Sequence, residues 1–138
     1  MEQIEKEIME MTKREELLAR RAGQSRHYNC AQSVLMPYSE ELGITKEQAA
    51  ALAANFGSGI GCGSMCGAIT GALMVMGGLD LPVTARAELL RRFREKNGAL
   101  DCAALLKAAA ERGEERRVHC DRMIDGCMDY LTEVTGKE

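Results

Sequence analysis

The sequence predicts an all-α fold, a compact bundle of about six or seven helices around one buried central helix at about 65–77. Three observations carry this. Proline occurs only at Pro37 and Pro82, and the stretches between are rich in Ala, Leu, Glu, Lys and Arg, which lose little on entering a helix. No segment alternates β-branched or aromatic residues with polar ones at period two, so a sheet has no support. The run Ala68 to Leu79 is small and apolar nearly all round, as a helix enclosed by other helices is. A chain of 138 residues suits one domain over 1–138.

In chain order, residues 2 to about 22 read as a first helix. Ile4, Ile8, Met11 and Leu18 form a narrow stripe, acids come early, Arg20 and Arg21 come late, and Gly23 stops it. So narrow a stripe suits a second subunit, and a homodimer is one expectation. A second helix is expected from near Ser25, with Pro37 ending or kinking it and Tyr38 to Leu42 resuming before Gly43. Thr45-Lys-Glu-Gln48 is a capping box for a third helix, which Asn55 and Gly57 end. The fourth, central helix has Ser64 as its expected N-cap. It presents Gly67, Ala68, Gly71 and Ala72 as a small-residue face for another backbone, and Gly77-Gly78 end it. A fifth helix opens at Pro82 and closes at Asn97-Gly98. A short sixth follows Asp101, with Cys102 in its first turn, and Gly113 breaks the pattern. The last runs from about Glu114 to Glu133, with Cys120 and Cys127 on nearly one face.

Composition excludes several functions. The net charge is −3 with both signs interspersed, so nothing marks a nucleic-acid partner. The acidic N-terminus lacks the form of a signal peptide, and the longest apolar run, Met65 to Leu79, is too short and too glycine-interrupted to span a membrane. A cytoplasmic chain is therefore expected. In a reducing compartment, cysteines at 30, 62, 66, 102, 120 and 127 point to redox chemistry or metal binding rather than to staples.

The stretch Phe56 to Gly71 concentrates the candidate chemistry. It holds glycines at 57, 59, 61, 63, 67 and 71, with Cys62 and Cys66 among them. Gly57-Ser-Gly59-Ile-Gly61 invites a phosphate-binding reading, but no strand precedes it and no lysine closes it. Anion capture by loop amides stays as a secondary role. Cys62 and Cys66 lack the second matched pair that a zinc site needs. Cys66 and Cys102 both fall at helix starts, where the dipole favours thiolate, so depressed thiol pKa values are expected at both. Cys127, among Met and Ile, reads as core. His27 and His119 stand near Cys30 and Cys120 as candidate proton acceptors or ligands. Asp121, Asp125 and Asp129 read as a solvated helix face.

Asn29-Cys-Ala-Gln-Ser-Val-Leu35, Gly57-Ser-Gly-Ile-Gly61, Cys66-Gly-Ala-Ile-Thr-Gly-Ala-Leu-Met74, Cys102 and Cys120 together resemble the redox-active protein family named for its pattern, C_GCAxxG_C_C. The resemblance covers nearly the whole chain. Cys30, Cys66, Cys102 and Cys120 match the family's four cysteines in order and approximate spacing, whereas Cys62, Cys127 and Pro37 depart from its pattern. It implies a cysteine-based redox role with an unidentified redox partner. In that role Cys66 is the reactive thiolate, and Cys30, Cys102 or Cys120 resolves it as a disulfide. A similar segment in a cytochrome thought to carry an iron–sulfur centre implies a rival reading. There the same four cysteines, with Cys62 as an extra candidate, ligate a cluster or zinc, and amides around Gly59, Gly61, Gly63 and Gly67 donate to the cofactor.

Overall fold

The computed structural model describes residues 28–136. The helix expected over 2–22, Ser25 and His27 lie outside the described residues. Within them the chain is all-α, with a single isolated bridge, Met65 to Asp101, as its only extended pairing.

Helix α1 spans Cys30–Leu35 and starts later than the expected position near Ser25. A reciprocal capping box fixes the start. The Asn29 side chain accepts from the Gln32 N–H at 2.8 Å, and the Gln32 side chain accepts from the Asn29 N–H at 2.9 Å. Pro37 ends the α-helix in a 3-10 turn, Met36–Tyr38, before the single turn α2, Ser39–Leu42, which stops at left-handed Gly43. Helix α3, Lys46–Ala53, opens at the Thr45 box as expected. Gln32 Nε2 donates to the Ala50 carbonyl at 2.9 Å, and Asn29 Nδ2 donates to those of Ala53 and Ala54. The polar start of α1 is thus latched to α3, and the half-buried amides are satisfied.

Helix α4, Gly67–Gly78, is the central one. Its buried residues include Ala68, Ile69, Ala72, Val75 and Met76. A side chain at Gly71 would place Cβ 2.7 Å from the Ala31 carbonyl oxygen, so the bare position is what lets α1 cross α4 backbone to backbone. Ser64 is not the N-cap of α4; Cys66 is. The Met65–Asp101 pairing keeps residues 64–66 extended and uses the Ser64 carbonyl to accept from the Cys102 N–H at 2.6 Å.

Helix α5, Val83–Asn97, buries only Leu89 and Phe93 and lies at the periphery. Helix α6, Cys102–Glu111, follows Asp101, and α7, Arg116–Thr135, closes the bundle through Met123, Ile124, Cys127, Met128 and Leu131. Tyr130 ties α7 to α5 by donating its hydroxyl to the Ala85 carbonyl at 2.7 Å, with the Arg92 guanidinium over its ring. Among the described residues no helix is long and apolar enough to cross a membrane.

Candidate functional site

The glycine stretch folds as a tight coil, not a phosphate cradle above a strand. Ser58, Gly59, Ile60 and Gly61 take positive φ in succession, and Gly63 follows at +75°. The left-handed region is costly for a β-branched residue, so Ile60 marks a conformation imposed by its surroundings. Gly59 shows why the coil must be tight. A Cβ there would meet Ser64 backbone atoms at 2.4 and 2.5 Å and Cys102 Cβ at 2.9 Å. At Gly67 a Cβ would lie 3.1 Å from Cys30 Cβ. The stretch therefore brings α6 and α1 against the start of α4. Gly63 abuts Ala103, and Gly61 has nothing within 4 Å of where its Cβ would be.

Two main-chain hydrogen bonds join the segments that carry Cys66 and Cys102. The Cys66 N–H donates to the Leu100 carbonyl at 2.9 Å, and the Cys102 N–H donates to that of Ser64 at 2.6 Å. The side chains of Met65 and Asp101 share one side of this short ladder, so alternation puts those of Cys66 and Cys102 on the other, as diagonal neighbours rather than a directly opposed pair. Helix α1 adds Cys30 from its first position, and α7 adds Cys120 one turn from its start. All four line a single cavity of about 490 Å³. Leu105, Leu106 and Met123 supply apolar wall, and Arg116, Arg117 and His119 supply polar groups. The sequence brings these cysteines from separate segments, and the fold unites them.

Electrostatics reverses one expectation. Cys66 is 5% exposed, and burial pushes its thiol up to about 11. The Ala68 and Ile69 amides pull the other way, and the charges that Cys102 and Cys120 would carry add to the rise. Desolvation outweighs the helix start, so Cys66 is not a low-pKa thiolate in this fold. Cys102 is raised as well, by burial and then by Cys120, while Arg116 lowers it. Unlike Cys66, Cys102 is only half-buried. Burial also raises Cys127, which is fully enclosed and feels Cys66. Cys62 is exposed and directs its thiol to the Gly59 carbonyl at 3.5 Å, outside the cavity.

His119 is 3% exposed, and burial pushes its pKa below the usual value. Its Nδ1 lies 3.5 Å from Glu114 Oε1, too long for a good hydrogen bond. Arg122 and Arg112 already occupy that carboxylate and hold it ionised, down to about 2. The imidazole is thus a neutral group in the cavity wall.

All six cysteines are thiols. Among the described residues no group of three His, Cys, Asp or Glu side chains is arranged to hold a metal ion. The described residues thus lend the cluster or zinc reading no support of their own. Of the glycines proposed to face a cofactor, Gly67 lines the cavity, whereas Gly59, Gly61 and Gly63 do not. Sequence reasoning missed Arg116 and Arg117. Their signal was present, because two arginines in the first turn of a helix run against the dipole and so call for another role.

A family model described as "Putative redox-active protein (C_GCAxxG_C_C)" matches residues 28–134. No curated protein and no solved structure matches the chain.

Proposed function

The chain belongs to the C_GCAxxG_C_C family, and we propose that it acts by thiol–disulfide exchange in the cysteine-lined cavity. The observation that carries this reading is the convergence of Cys30, Cys66, Cys102 and Cys120 on one concave space. Cys102 attacks first: it is the more accessible of the two ladder cysteines, and although burial raises its thiol, Arg116 opposes that rise. Cys66, buried beside it, resolves. The balance is two protein thiols plus a disulfide, giving one protein disulfide and two released thiols. Two electrons pass to the incoming disulfide, and the two thiol protons leave with the released thiolates. Cys120 faces both sulfurs electrostatically and is the alternative resolving partner.

The test is peptide mapping after oxidation of the reduced protein by a small disulfide, with iron, zinc and sulfide measured on anaerobically purified protein. The expected product is a Cys66–Cys102 cross-link. Cys102→Ser should abolish it, and Cys62→Ser should leave it intact. Stoichiometric iron with sulfide, or no intramolecular disulfide in any variant, would overturn the reading.

A further inference from the structure

We propose that the cavity binds a small organic disulfide that carries a carboxylate, with Arg116 and Arg117 as its recognition groups. The inference rests on the exchange reading above and names the substrate class. Three observations converge on it.

The first is size. About 490 Å³ lies within the range of small-molecule sites. Cys102, the attacking thiol, lines this concave space, which suits a small disulfide better than the bridge of a folded protein.

The second is charge. Among the described residues, Arg116 and Arg117 are the formally charged side chains that line the wall. Arg116 is partly fixed by donating to Ser58 Oγ at 3.1 Å, which leaves other guanidinium N–H groups for a ligand. Arginine's planar fork suits a carboxylate.

The third is the rest of the wall. Leu105, Leu106 and Met123 offer apolar contact to the body of the molecule, and the buried, neutral His119 adds a polar group without adding charge. An anionic group at the arginines with a sulfur–sulfur bond deeper in the cavity satisfies all three. The step is a single turnover. The Cys102 thiolate displaces one thiolate from the ligand, Cys66 then attacks the Cys102 sulfur of the mixed disulfide and displaces the second ligand thiolate, and the two released thiolates carry off the electron pair and pick up the two thiol protons. A small thiol or dithiol restores the reduced protein.

The experiment compares single-turnover rates of the reduced full chain with 5,5′-dithiobis(2-nitrobenzoate), which is anionic, with neutral 2,2′-dithiodipyridine and with cationic cystamine. Each rate is normalised to that of a free dithiol with the same probe. The expected result is at least a tenfold preference for the anionic probe, saturating with its concentration. Arg116→Gln with Arg117→Gln should reduce the preference to about twofold or less, and Arg116→Lys with Arg117→Lys should restore part of it. Equal normalised rates for the three probes on the wild-type protein would overturn the substrate class while leaving the exchange reading standing. Failure of every probe to yield an intramolecular disulfide would overturn the exchange reading itself. The wild-type comparison decides the matter even where a variant folds poorly.

Discussion

Cys66 sits where two opposed effects meet. The start of α4 favours a thiolate, and burial under three other segments disfavours it; burial prevails, at about 11. Resolution by Cys66 should therefore accelerate with pH up to about that value. Stopped-flow conversion of the mixed disulfide would check this, and a flat profile between pH 8 and 10 would contradict it. His119 gives the second residue-scale prediction. Its folded pKa lies below the unfolded value of about 6.5, with burial the main cause. Its contribution to stability is then complete above that pH and lost as pH falls below it. Glu114 stays ionised through this window, held by Arg122 and Arg112, so it does not mask the effect. Melting curves from pH 7.5 to 5 should fall more steeply for the wild type than for His119→Gln.

At the scale of elements, the coil before α4 is the feature most sensitive to substitution. Gly59→Ala combines positive φ with overlap on Ser64 and should cost about 2–4 kcal/mol. Gly61→Ala meets open space and should cost only the backbone term, about 1 kcal/mol. Urea unfolding of the two variants would check the ranking, and equal losses would refute it. Much at this scale was legible in the sequence. Thr45-x-x-Gln48, Pro37, Gly43 and Gly98 are local signals, and the chain obeys them. The start of α1 differs from the expected one because Asn29 and Gln32 form a reciprocal box that holds Asn29 extended, so the helix begins only at Cys30. Ser64 is no cap for a different reason. Its carbonyl is taken by a residue far along the chain, and no local pattern reveals that pairing. The thiol pKa values failed likewise, since burial of Cys66 is decided by helices distant in sequence.

For the molecule as a whole, forming the proposed Cys66–Cys102 disulfide closes the loop between those residues and should add about 3–4 kcal/mol through the unfolded state. The oxidised protein should unfold at a urea concentration more than about 1 M higher than the reduced form, and Cys102→Ser should remove the difference. The shared cavity itself was foreshadowed only by the family's cysteine pattern; which residues wall it depends on how α6 and α7 dock. The Met65–Asp101 pairing and the late position of α7 carry a consequence for biosynthesis. Cys30 and Cys66 leave the ribosome first, on helices able to pack at once. The segment that pairs with residues 64–66 is made only after residue 100, and α7 comes last of the described helices. A nascent chain that has not yet reached Arg116 thus lacks the wall that shields Cys66. For that interval the thiol is open to chemistry that the finished molecule denies it.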